Sequence, residues 1–173
     1  MPDDQQLTLE RLNAAPAEQL RETLRACCAS DAWVDQLLAH RPYADRAAAL
    51  AGSDTAMGEI ADADVDQALA GHPRIGDRAE GEGTDARWSR EEQASVADAG
   101  DDVQQQLRDG NLSYERRFDR VFLIRAAGRS PQEMLTELTR RLDQDDETER
   151  AEVREQLRQI TRLRLERALS PTE

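Results

Sequence analysis

The sequence predicts an all-α fold, a single-domain multi-helix bundle. Apolar residues recur at three- and four-residue intervals along most of the chain. Serine, proline and glycine fall where those stretches begin and end. Aromatic residues make up only 3% of the 173, so the core has to be built from Leu, Ala, Val and Ile. A chain of this length can bury one such core.

Pro16 suits the first turn of a helix whose inner face carries Leu20, Leu24, Cys27 and Cys28. Ser30 can cap a second helix with Trp33, Leu37 and Leu38, and Arg41-Pro42 breaks it. A short helix through Ala47 and Leu50 is expected to stop at Gly52. Asp62 or Asp64 can open another, with Val65 and Leu69 inside, ending at Gly71. Residues 72–88 hold Gly76, Gly81 and Gly83 with little apolar content before Trp88, which reads as a long loop.

Ser89 is expected to open a long helix with Val96, Val103 and Leu107 on one side. After Gly110, Tyr114 and Phe118 mark a shorter one. Val121-Phe122-Leu123-Ile124 is a buried extended segment or a helix end. Ser130-Pro131-Gln132-Glu133 combines a cap, a proline at the first position and a capping-box glutamate, and Met134, Leu135, Leu138 and Leu142 come next at helical spacing. The last helix runs from about Asp146 to Leu169, with Val153, Leu157, Ile160 and Leu163 as a packing stripe too short for a coiled coil.

Charge narrows the function. The net charge is -13, which excludes a general nucleic-acid binder, since phosphate contacts need a basic face. The balance is uneven: residues 54–102 carry 14 acids against 4 arginines, whereas residues 103–130 carry 6 arginines against 3 acids. The acidic stretch reads as a solvated surface, and the basic one as either that or a face toward an anionic ligand. Met1-Pro2-Asp3-Asp4 lacks the regions of a signal peptide, and no apolar run approaches a membrane span, so a cytoplasmic protein free of membranes is expected. Adjacent cysteines point apart on a helix; Cys27 and Cys28 are expected to be small core residues of a reduced protein.

All 23 basic residues are arginine. Without lysine there is no Schiff base with a carbonyl substrate or pyridoxal phosphate, and no P-loop. Two histidines and one Cys-Cys pair offer no metal cluster of known spacing, and no glycine-rich dinucleotide fingerprint follows a strand. An enzyme built on this chain is expected to work without cofactor or metal, by acid–base and electrostatic means.

The richest stretch is His72-Pro73-Arg74-Ile75-Gly76-Asp77, followed by Ser89-Arg90-Glu91-Glu92-Gln93. An imidazole, a carboxylate, a hydroxyl and an amide are the ingredients of a small acid–base site. A histidine after a glycine is also a common structural residue, but the proline and the flanking Gly71 and Gly76 would hold this one at the mouth of a loop. Ser89 and Glu92 have the spacing of a capping box, a structural role compatible with a helix N-terminus that presents Glu92 and Gln93 to an anion. His40, near a helix end, suits a structural role at the dipole. Arg125 and Arg129 flank Gly128 and read equally as carboxylate forks or solvated charge.

These motifs, in this order, resemble the 2-oxo-4-hydroxy-4-carboxy-5-ureidoimidazoline (OHCU) decarboxylases of uric acid breakdown, over almost the whole chain. Arg41-Pro42-Tyr43 is similar to that family's Arg-Pro-Phe, and His72-Pro73-Arg74-Ile75-Gly76 to its His-Pro-x-Ile/Leu-Gly. Ser89-Arg90-Glu91-Glu92-Gln93 fits its Ser-x-x-Glu-Gln; Asn111, Tyr114 and Phe118 fit its Asn-x-x-Tyr-x-x-x-Phe. Phe122-Leu123-Ile124 through Gly128-Arg129-Ser130 fits the family's next segment, and Arg162-Leu163-Arg164-Leu165 its closing Arg-Leu pattern. The family often reads Phe-Gly-Phe-Pro-Phe where this chain has Phe118-Asp119-Arg120-Val121-Phe122, a departure that bears on the backbone path.

The resemblance implies an all-α fold, often a homodimer, and conversion of OHCU to (S)-allantoin and carbon dioxide with no cofactor. It implies His72 as the acid–base residue and Glu92 as the group that orients it or the substrate. Pro73, Ser89 and Gln93 would bind substrate, with Phe122, Ile124, Arg125 and Ala126 along the other wall and Arg125 near an anionic or ureido group. The competing readings are a non-enzymatic helical scaffold or binding module, and a different lyase or hydrolase acting on a cyclic ureide.

Overall fold

The computed structural model describes residues 6–77, 81 and 83–170, and among these it has ten helices and no strand. The chain divides into two compact units: residues up to Ala68 with those from Arg158 onward, and Leu69–Leu157.

The first unit holds α1 (Leu9–Ala14), α2 (Ala17–Cys27), α3 (Asp31–Ala39), α4 (Arg46–Glu59) and nearly all of α5 (Asp62–Leu69). Side-chain oxygens cap three of them: Thr8 accepts from the Arg11 N–H, Ser30 from Trp33 and Asp45 from Ala48. Pro16 sits at the N-cap of α2, one residue earlier than expected. His40 is the C-cap of α3, with Nδ1 2.8 Å from the Gln36 carbonyl, a structural role. Cys27 and Cys28 are buried free thiols, and burial pushes them up to about 12 and about 11, which makes them inert at neutral pH.

Helix α4 does not stop at Gly52 but continues to Glu59. A Cβ on Gly52 would lie 2.8 Å from Tyr43 Cε1, so the glycine makes room for a ring whose hydroxyl donates to the Leu37 carbonyl at 2.7 Å. Close packing here outweighs the helix-weakening tendency of glycine. Arg41 closes the corner before it: the guanidinium donates to the Leu38, Leu12 and Ala15 carbonyls at 3.0, 3.2 and 2.7 Å, at the ends of α3 and α1.

The second unit holds α6 (Thr84–Glu92), α7 (Ala94–Ala97), α8 (Asp101–Phe118), α9 (Pro131–Leu142) and the first half of α10 (Asp146–Leu169). Three expectations are corrected here. The helix expected at Ser89 starts at Thr84, after an N-cap at Gly83, so Ser89 lies on the buried face of α6 rather than at its N-terminus. The long helix from Ser89 is broken twice; at the second break Gln104 Nε2 lies 3.0–3.3 Å from the Val96, Ala97 and Ala99 carbonyls left by α7. Gly110 ends nothing: it lies inside α8, where a Cβ would collide with Leu138 Cδ2, so its bareness lets α8 and α9 approach.

Ser130 caps α9 as expected, accepting from the Glu133 N–H at 3.1 Å. Val153, Leu157 and Ile160 of α10 are buried, but Leu163 is 38% exposed, and the inward row continues instead through Thr161, Arg164 and Leu165. The core of this unit gathers Ile75, Val96, Leu107, Tyr114, Phe118, Phe122, Ile124, Ala126, Met134 and Leu138. Phe122–Ala126 is a buried non-helical segment, the first of the two alternatives for the apolar run. Asp119 closes α8 in the left-handed region at φ +54°.

Candidate functional site

The histidine segment leaves α5 in a turn, with the His72 N–H donating to the Leu69 carbonyl at 3.0 Å. From Arg74 to Gly76 the segment is tied down residue by residue. The Arg74 guanidinium forks onto Glu115 of α8, with Nη2 3.0 Å from Oε2. Ile75 is buried in the core, and its carbonyl accepts from Nδ2 of Asn111, itself 2% exposed, at 2.7 Å. Gly76 turns the chain at φ +95°, a region open to glycine, and its N–H donates to Gln93 Oε1 at 3.0 Å. The two motifs singled out in the sequence therefore meet through a direct hydrogen bond.

That junction opens on a cavity of about 410 Å³ lined by Gly76, Asp77, Ser89, Arg90, Gln93, Ala94, Val96, Ala97 and Asp98. Two carboxylates, one guanidinium, a hydroxyl and an amide share it, a lining able to hold a small polar molecule by directed hydrogen bonds. Arg90 also donates to the Gly81 carbonyl at 2.9 Å, which binds the glycine-rich stretch to α6. Of that stretch, residues 78–80 and 82 lie outside the described residues.

The expected site residues are distributed unevenly around this cavity. Ser89 and Gln93 line it. His72, Pro73 and Glu92 are half-buried and lie outside its lining. Glu92 is the last residue of α6 and Gln93 its C-cap, so the N-terminus of a helix opening at Ser89 is corrected: this end of α6 carries its carbonyls, while Gln93 is also the N-cap of the four-residue α7, without a side-chain cap bond. Phe122, Ile124 and Ala126 lie outside the cavity's lining and pack with Ile75 in the core, which ties their segment to the histidine segment. Arg125 is half-buried, and its Nε is buried with no hydrogen-bond partner among the described residues, a cost that a ligand could remove. Among the described residues no group of three His, Cys, Asp or Glu could hold a metal ion.

Sequence reasoning missed a buried ion pair beside the Phe122–Ala126 segment. Arg141 and Glu149 are 1% and 0% exposed, with Arg141 Nε 2.9 Å from Glu149 Oε1. Tyr114 donates to the same oxygen at 2.5 Å, and burial followed by that hydrogen bond pushes the phenol well above its usual range. Both charges fall on helical faces among polar neighbours, so only the inward spacing of Arg141 with Met134 and Leu138 could have revealed it.

Comparison with known proteins adds a family. The OHCU decarboxylase family model matches residues 13–166. The uric acid degradation bifunctional protein TTL of Arabidopsis thaliana is 28% identical over 149 residues, 84% of this chain; the chain spans about half of that relative, 46% of its length. A crystal structure of OHCU decarboxylase in the presence of (S)-allantoin superposes with a TM-score of 0.73 at 23% identity, covering 91% of this chain and 100% of that one. A crystal structure of (S)-allantoin synthase does so at 0.68 and 14% identity, covering 94% and 54%. At these identities the two structures speak to the fold, and both share it with this chain.

Proposed function

The chain belongs to the OHCU decarboxylase family, and we propose that it converts OHCU to (S)-allantoin and carbon dioxide without a cofactor. The observation that carries this reading is the cavity where Ser89 and Gln93 meet Gly76 and Asp77 next to the histidine segment. The family match crosses both compact units, which supports one functional domain.

Loss of carbon dioxide leaves an electron pair on carbon. The substrate's own conjugated imine and carbonyl can accept that pair, so the protein need only place the ring, stabilise the moving charge and manage protons. In this reading His72 acts at the substrate hydroxyl or delivers the proton that replaces carbon dioxide. Glu92 orients the imidazole or the ring. Ser89 and Gln93 hydrogen-bond the polar ring edges, and Pro73 shapes the approach. Phe122, Ile124 and Ala126 form the opposite wall, and Arg125, with its unsatisfied buried Nε, holds an anionic or ureido group. A site closed to water strengthens each of these interactions. The resemblance further implies a homodimer acting on this small molecule alone, and the sequence a cytoplasmic protein; among the described residues no helix is long and apolar enough to cross a membrane.

The test is circular dichroism of OHCU made in situ from urate, with and without the protein. Rapid growth of the (S)-allantoin signal is expected, and His72→Asn should slow it by about 10²- to 10⁴-fold. Slow racemic decay in the presence of folded protein would overturn the assignment and favour another ureide or a binding role.

A further inference from the structure

The Phe122–Ala126 segment lies between α8 and α9, outside any helix. Buried main-chain groups away from a ladder need other partners. Side chains supply them here. Arg141 Nη1, from α9, donates to the Leu123 carbonyl at 2.7 Å. The Arg125 N–H donates to Gln156 Oε1, from α10, at 2.9 Å. Arg129 Nε donates to the Arg125 carbonyl, also at 2.9 Å.

Arg141 is held firmly in turn. Glu149 takes its Nε at 2.9 and 3.2 Å and also accepts from Tyr114 and from Gln144 Nε2, the latter at 2.9 Å. The guanidinium lies 4.6 Å from the Phe122 ring centroid and 5.9 Å from that of Tyr114. Removing a charge pair from water is costly, and a hydrophobic pair of similar volume often serves stability as well. Such a pair could not grip the Leu123 carbonyl. Leu123 and Arg125 are thus tied from α9 and α10, while Ile124 between them packs with Ile75 of the histidine segment.

We propose that Arg141 and Gln156 are positioning residues: by gripping Leu123 and Arg125, they set the backbone wall at Ile124–Ala126 against which the substrate's ureide group is oriented. This rests on the function proposed above and extends it to two residues that need not touch substrate. A wall held by fixed donors and acceptors is organised before substrate arrives, and misplacement of about 1 Å is enough to slow turnover sharply.

Gln156→Leu removes the acceptor, and Gln156→Glu keeps a side-chain oxygen in its place. In Gln156→Leu the Arg125 amide should exchange with solvent faster, and kcat/KM for OHCU should fall about 10- to 100-fold with KM raised. Gln156→Glu should restore most of both. A folded Gln156→Leu protein with unchanged KM, kcat and Arg125 amide exchange would overturn the proposal. Arg141→Lys decides the matter if Gln156→Leu does not fold: it keeps a charge beside Glu149 but cannot fork to Leu123 as well, and the same rise in KM is expected. Wild-type protein that fails to turn over OHCU sinks the functional reading instead; Arg125 amide exchange in Gln156→Leu then still decides whether the brace exists.

Discussion

Arg41 in the first unit and Arg141 in the second both donate to main-chain carbonyls at or beyond helix ends, yet their surroundings differ. Arg41 spans three carbonyls at helix ends and keeps part of its side chain at the surface. Arg141 reaches one carbonyl, is 1% exposed, and is paired with a fully buried glutamate. Water can share the work at the first corner. At the second the charge has no access to solvent, so the fold must supply its counter-charge, and Glu149 in turn draws in Tyr114 and Gln144. The first unit thus closes a corner with one adaptable side chain, while the second surrounds its non-helical segment with a rigid polar network.

The contrast breaks most visibly at Glu149. Glu149→Leu takes away the buried partner of Arg141 and leaves it the partly exposed Glu152, 3.9 Å away; it should cost about 3–5 kcal/mol in urea unfolding, whereas the double change with Arg141→Met should recover most of that loss. A single-variant cost below about 1 kcal/mol would show that water reaches Arg141 after all, and the two arginines would then be alike. Arg41→Met should cost less, about 1–2 kcal/mol, because water can take over part of the hydrogen bonding at its carbonyls. A loss as large as that of Glu149→Leu would mean that the first corner is as closed as the second.

The smallest effect sharpens the comparison at Asp119, the only non-glycine residue with a positive φ among those described. Asp119→Gly should raise the thermal midpoint by an amount equivalent to about 0.5–1 kcal/mol, since glycine adopts this conformation without the clash of a Cβ. No gain would mean that the aspartate side chain repays the strain locally.

Legibility tracks the range of the interactions. Ser30 and Ser130 are readable as caps because a cap is satisfied within three residues. The bounds of α10 are readable because no glycine or proline interrupts the stretch from Asp146 to Leu169, although its inward row shifts at the exposed Leu163. Gly52 and Gly110 look like stops in the sequence because the ring of Tyr43 and the side chain of Leu138, which require them, are distant in sequence or in another helix. Ser89 and Glu92 imitate a capping box, and nothing local says that the helix has already begun at Thr84. Within the candidate site, the residue types of both motifs are visible, but the contact between Gly76 and Gln93 is not. Asn111 stands out only as part of a pattern, and Arg141, Glu149 and Gln156 do not stand out as site residues.

The all-helical class, most helix faces, the acidic surface and the ordered motifs that mark the family were legible in the chain, since each depends on periodicity, local capping or the identity of side chains. Which glycines are packing contacts, where α6 begins, which residues line the cavity, and that a buried Arg–Glu pair grips the Leu123 carbonyl all came from the folded arrangement. Those outcomes depend on what a side chain meets across the fold, where the cost of an unpaired buried charge or carbonyl selects partners that sequence spacing does not reveal.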